Sequence, residues 1–144
     1  MQEIWKDIEG YEGLYQVSNL GIVKSLPRQY KNRKCNERIK SPSLAGKGYY
    51  RVSLCKNGII KYYYIHQLVA KTFIPNPNNY KLVNHKDENK LNNCVDNLEW
   101  CDYKYNLNYN NGKIKRLLSR IQYYMKQQNR YDVINKIDEI KEIL

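Results

Sequence analysis

The sequence has no apolar run near the roughly 18 residues that a membrane span requires. Its opening, Met1-Gln2-Glu3-Ile4-Trp5-Lys6-Asp7, lacks the basic-then-apolar order of a secretory leader, so the expectation is a chain that stays in the cytoplasm. Cysteine is sparse. Cys35, Cys55, Cys94 and Cys101 form no C-x-x-C pair, which argues against a structural zinc site, and free thiols are expected in a reducing compartment. Internal repeats and low-complexity tracts are also missing. With 42% hydrophobic and 27% charged residues, the 144-residue chain falls among globular rather than disordered sequences, at about the length of one ordinary domain.

Acidic residues are the other shortage, 14 against 25 lysines and arginines, and the resulting net charge of +11 is unevenly placed. Residues 1–20 carry −3, residues 21–61 carry +10, residues 62–111 balance, and residues 112–144 carry +4. A cationic block of this kind attracts a polyanion through counterion release, and nucleic acid is the usual one. An anionic membrane surface is the competing partner, but the block lacks the amphipathic helical pattern that such binding prefers. The candidate phosphate-gripping residues are Lys24, Arg28, Lys31, Arg33, Lys34, Arg38, Lys40, Lys47, Arg51 and Lys61.

Along the chain, residues 11–26 contain two short β-type runs separated by Asn19-Leu20-Gly21, the turn chemistry of a hairpin with a glycine bulge. Residues 27–48 are basic, aperiodic and punctuated by Pro27, Pro42, Gly46 and Gly48, which predicts a long loop ordered by DNA. A second hairpin is predicted from residues 49–54 and 59–65 around Lys56-Asn57-Gly58. Residues 66–73 then take a helical period, stopped by Pro75 and Pro77. The basic and tyrosine residues of this hairpin suit phosphate, sugar and base contacts, although most of the tyrosines are expected to pack the sheet. From Lys113 onward, Ile114, Leu117, Leu118, Ile121, Tyr124 and Met125, and then Val133, Ile134, Ile137, Ile140 and Leu144, predict two amphipathic helices joined by a turn near residues 128–130. The fold class is therefore α+β.

The stretch from Val83 to Asn106 carries the chemistry. A short apolar run enters His85, a polar loop follows, Leu98-Glu99-Trp100-Cys101 reads as a second strand, and a helix can begin near Tyr103. Asn84-His85-x-Asp87-x-Asn89-Lys90-x-Asn92-Asn93, followed by Asn97-Leu98-x-Trp100-Cys101, resembles the ββα-metal core of the HNH nucleases, in the homing-endonuclease branch common in phages and mobile introns. Ile65-His66-x-Leu68-Val69-Ala70-x-x-Phe73-Ile74-Pro75-Asn76-Pro77 is similar to the same branch. Trp5-Lys6-Asp7-Ile8-x-Gly10-Tyr11-Glu12-Gly13-x-Tyr15-x-Val17-Ser18-Asn19-x-Gly21 resembles the DNA-binding module often fused ahead of that core. Together these segments span residues 3–108, and the tail from Lys113 resembles nothing named.

The resemblance implies a β-rich DNA-binding module over 1–64, a nuclease core over 65–111 and a helical tail over 112–144. It implies that His85 takes a proton from the attacking water, a task suited to an imidazole titrating near neutrality. Asn97 matches the residue whose amide holds the loop and the histidine strand, while Asn84 and Asn106 match the ligands of one divalent ion, Mg²⁺ or Mn²⁺. Relatives often carry aspartate at the position of Asn84. A neutral amide binds a hard cation more weakly, so DNA phosphate oxygens are expected to supply the negative charge. Glu88 stands where relatives often have glycine, and a positive φ there would strain it.

Double-stranded DNA is the implied partner, nicked one strand at a time in a bacterial or phage-infected cell, by a monomer or by a homodimer formed through the C-terminal helices. A DNA-binding regulator with a lapsed nuclease core and an RNA-binding module are the rival readings. His66, Asp87, Asn89, Asn92, Asn93 and Trp100 are expected in structural roles.

Overall fold

The computed structural model describes residues 2–30, 33–128 and 130–144, with the backbone alone for Tyr30, Arg33 and Asn110. The chain divides into two compact units, Met1–Cys101 and Asp102–Leu144. In the first unit, β1 (Trp5–Asp7), β2 (Tyr15–Ser18), β3 (Val23–Ser25) and β6 (Arg38–Ile39) form an antiparallel sheet in the order β1-β2-β3-β6. The predicted first hairpin is β2–β3, with Val17 opposite Val23. Its turn is closed by Ser18, whose Oγ accepts from the N–H groups of Leu20 and Ile22, and Gly21 takes φ 82°.

β8 (Tyr50–Lys56) and β9 (Ile59–Tyr64) form the second predicted hairpin, extended by β7 (Ser43–Leu44) on the outer side of β8. Asn57 and Gly58 both have positive φ, 53° and 79°, which is the two-residue turn that Asn-Gly favours. α1 (Ile65–Phe73) follows β9 without a linker and buries Ile65, Leu68 and Val69. These join Ile8, Tyr15, Val17, Val23, Val52, Leu54 and Leu98 in one core cluster. The N-terminal sheet, the second hairpin, α1 and the strand that carries Leu98 thus share one interior.

The basic stretch 27–48 differs from the expected structureless loop. It contains β4 (Arg28–Tyr30) paired with β5 (Arg33–Cys35), together with β6 and β7. Strands of two or three residues are too short to print an alternation into the sequence, so periodicity could not reveal them.

The first unit ends with β10 (Leu82–His85), a 3₁₀ turn over Val95–Asn97 and β11 (Leu98–Cys101), the two strands pairing antiparallel. The second unit is a helical hairpin of α2 (Tyr103–Gln127) and α3 (Tyr131–Ile143), and α2 begins at Tyr103, where a helix was expected to start. The Asp102 carboxylate caps it by accepting from the Tyr105 N–H. α2 runs unbroken through positions 111 and 112, where the tail was set apart in the sequence. No helix among the described residues is long and apolar enough to cross a membrane.

Candidate active site

β10 and β11 form a two-stranded ribbon in which Asn84 faces Glu99 and His85 faces Leu98. Successive residues of a strand point to opposite faces. His85 therefore turns inward and is 5% exposed, while Asn84 is half-buried and donates its amide Nδ2 to Glu99 Oε1 at 2.8 Å.

The loop between the strands is closed by its own asparagines. Asn97 Oδ1 accepts from the Asp87 N–H at 3.0 Å, and Asn97 Nδ2 donates to Asp87 Oδ1 and to the Asn92 carbonyl, each at 2.8 Å. The Lys86 N–H donates to the Asn97 carbonyl at 2.8 Å, so Asn97 grips both ends of the loop. Asn92 Nδ2 donates to Asp87 Oδ2, and the Asn89 N–H donates to Asp87 Oδ1. These bonds, that from Asn92 first, hold the Asp87 carboxyl below its ordinary range. Glu88 takes φ 64°, the left-handed conformation that makes a non-glycine residue strained there.

Around the imidazole stand residues that the sequence left in structural roles. His85 Nε2 lies 3.1 Å from Asn93 Oδ1, and Asn93 Nδ2 donates to the Leu91 carbonyl at 3.3 Å. A carbonyl can only accept, so the Leu91 bond fixes which end of the Asn93 amide faces the ring. The oxygen facing Nε2 requires Nε2 to carry the proton, which leaves the lone pair on Nδ1. His66 meets His85 edge to face at a ring separation of 5.2 Å, and Tyr49 lies 6.0 Å from His85. Burial, and secondarily the neighbouring His85, push the His66 imidazole down to about 4, so it is neutral at physiological pH. Its Nδ1 is buried with no hydrogen-bond partner among the described residues. Trp100, expected in the core, is half-buried and donates its indole N–H to the Ile74 carbonyl at 3.0 Å.

Of the four predicted site residues, Asn84, His85 and Asn97 lie together on the ribbon and its loop. Asn106 belongs to the second unit, in the first turn of α2, where its N–H donates to the Asp102 carbonyl. Asn84 and Asn106 offer amide oxygens, the hard donors that suit Mg²⁺ or Mn²⁺. The bond from Asn84 Nδ2 to Glu99 leaves Oδ1 as the donor end of that amide and sets a carboxylate beside it. The sequence reading left the ligand set without protein charge. It missed Glu99 because the pairing of residues 84 and 99 is a fact of strand register. All four cysteines are free, as expected.

The basic candidates divide by environment. Lys24 is held in place, paired with Glu37 at 3.1 Å and set over the Trp5 ring at 4.5 Å. Arg28 lies 5.1 Å from the centre of the Tyr15 ring and Arg51 lies 4.7 Å from that of Tyr62. Arg28 Nη1 and Arg51 Nε are buried without a hydrogen-bond partner among the described residues. Lys34, Arg38, Lys47 and Lys61 are exposed and Lys40 is half-buried. Lys31 and the side chain of Arg33 lie outside the described residues.

A family model described as the NUMOD4 motif matches residues 3–55. The chain is 37% identical over 130 residues to DNA endonuclease I-HmuI of Bacillus phage SP01, an alignment that covers 90% of this chain and 70% of that protein. It is 39% identical over 140 residues to the uncharacterized HNH endonuclease L245 of Acanthamoeba polyphaga mimivirus, covering 96% of this chain but 38% of that longer protein. Its fold matches a solved structure of the HNH homing endonuclease I-HmuI, described as binding and cleaving DNA. The TM-score is 0.63 at 37% identity, over 88% of this chain and 68% of the other. A ribbon that presents an asparagine-bound histidine, a loop closed by Asn97 and this degree of identity agree in one conclusion: the chain belongs to the HNH homing endonucleases.

Proposed function

We propose that the chain is an active, metal-dependent DNA endonuclease that hydrolyses one strand per active site, leaving 3′-hydroxyl and 5′-phosphate ends. The observation that carries this reading is His85, anchored through Nε2 with its lone pair on Nδ1, one residue from the Asn84–Glu99 pair. Nδ1 takes a proton from water as the oxygen attacks phosphorus, and the imidazolium that forms keeps its Nε2–H bond to Asn93. Because His66 stays neutral, it does not oppose that charge. Asn84 would offer its Oδ1 to Mg²⁺ or Mn²⁺, an ion whose chemistry is to stabilise negative charge on the phosphate and on the leaving 3′ oxygen, and Asn106 is the further ligand that the family resemblance implies. Glu99 orients the Asn84 amide, and Asn97 keeps the loop closed over the ribbon.

Residues 1–64 grip duplex DNA in this reading. Arg28 and Arg51, with buried nitrogens open to an acceptor, and the exposed Lys34, Arg38, Lys47 and Lys61 reach phosphates. The test is cleavage of supercoiled plasmid and AT-rich genomic DNA with Mg²⁺ or Mn²⁺ by wild type and His85→Ala. The expected result is nicking by wild type alone, stopped by EDTA, with a loss of at least about 10²-fold in the variant. Binding of a cognate site by both proteins with cleavage by neither would overturn the proposal in favour of a DNA-binding regulator with a lapsed core.

A further inference from the structure

Asn93 was expected only in a structural role, yet it makes the hydrogen bond to the His85 ring. Both side chains are buried, each 5% exposed, so water cannot substitute freely for their bond. Asn93 is in turn pressed by the opposite end of the first unit. A Cβ added to Gly21, in the β2–β3 turn, would lie 2.8 Å from Asn93 Cβ and 3.0 Å from the Asn93 carbonyl oxygen. Two residues away, the Val95 N–H donates to the Asn19 carbonyl of the same turn at 2.8 Å. Gly21 also takes φ 82°, so a side chain there is excluded twice, by conformation and by the approach of Asn93. The turn that carries Asn19 and Gly21 lies within the segment matched by the NUMOD4 model.

We propose that Asn93 is the positioning residue that fixes the tautomer and orientation of His85, and that the β2–β3 turn holds Asn93 in place through contact at Gly21 and the Asn19–Val95 hydrogen bond. The N-terminal segment then has a second task besides touching DNA: it braces the catalytic base. This rests on His85 being that base. An aligned acceptor at Nε2 keeps the proton off Nδ1, and loss of such an acceptor leaves a histidine base in mixed tautomers.

The test reads the ring directly, in the full-length protein without DNA or metal, from imidazole ¹⁵N shifts at a pH where His85 is neutral. Wild type shows Nε2 protonated and Nδ1 bare. Asn93→Leu, similar in size but without an acceptor, shows mixed tautomers, whereas Asn93→Asp restores the wild-type pattern. In plasmid cleavage Asn93→Leu loses roughly 10²-fold in kcat with DNA affinity unchanged, and Asn93→Asp stays within about tenfold of wild type. Gly21→Ala, checked for folding by its amide spectrum, moves the His85 signals towards those of Asn93→Leu. A His85 tautomer unchanged in Asn93→Leu overturns the role of Asn93, and His85 signals unmoved in a folded Gly21→Ala overturn the brace. Because the tautomer is read without turnover, either result stands apart from the plasmid test of nuclease activity.

Discussion

The loop between β10 and β11 and the basic stretch between β3 and β9 are both rich in polar residues, but they spend them differently. In the loop, Asp87, Asn89, Asn92 and Asn97 bind one another and the backbone between them at short sequence separations. In the basic stretch, Arg28 and Arg51 lean on tyrosine rings and keep buried nitrogens without a hydrogen-bond partner among the described residues. The difference separates two requirements. Groups that act on a reacting atom gain from being set in advance, and under the proposed function the loop's internal bonds serve that end. Groups that meet a phosphate chain must keep bonding capacity for it, and under the proposed function the buried nitrogens of Arg28 and Arg51 keep that capacity.

His66 gives the largest expected break in this comparison, because beside His85 it keeps a buried nitrogen with no hydrogen-bond partner among the described residues. Its folded pKa lies near 4, below the 6.5 of an ordinary histidine, because burial disfavours the charged form. Between those values the unfolded chain binds a proton that the folded chain refuses. Stability is therefore fully present above pH 6.5 and falls as the pH drops towards 4, by up to about 3 kcal/mol. Denaturant midpoints across that range measure it, and His66→Phe should flatten the slope.

Next in size, Asn97→Ala removes three side-chain hydrogen bonds from the loop and should cost roughly 1–2 kcal/mol in denaturation. Cleavage should fall with it while DNA affinity is kept. Glu88→Gly acts in the opposite direction, relieving a left-handed residue and raising stability by up to about 1 kcal/mol. A loss of stability in Glu88→Gly would show that the glutamate side chain contributes more than its backbone strain costs. The smallest effect belongs to the basic stretch. Arg51→Ala should weaken binding about equally on all sequences and lower the slope of log affinity against log salt by about 1. An unchanged slope would mean that Arg51 serves the Tyr62 ring and not DNA.

Much of the site could be read in advance, because its signals are local. Asn57-Gly58 announced the β8–β9 turn, Pro75 marked the end of α1, and the asparagine spacing around His85 placed the ribbon, its loop and Asn97. The expectation that glutamate at position 88 would be strained under a positive φ met a φ of 64°. Contacts made by long-range pairing were invisible. Nothing near Asn84 in the sequence names Glu99, nothing near His85 names His66, and Gly21 lies far from Asn93.

The sequence by itself determined the α+β class, the two hairpins, the amphipathic helices and the concentration of positive charge, because turn chemistry, periodicity and motif spacing act over a few residues. Tertiary structure alone decided that a carboxylate stands beside Asn84, that the Asn93 side-chain oxygen faces His85 Nε2 and that burial holds the neighbouring His66 imidazole down. Those properties depend on strand register, on which side chains a shared core forces together and on how deeply it buries them, and no local pattern encodes these.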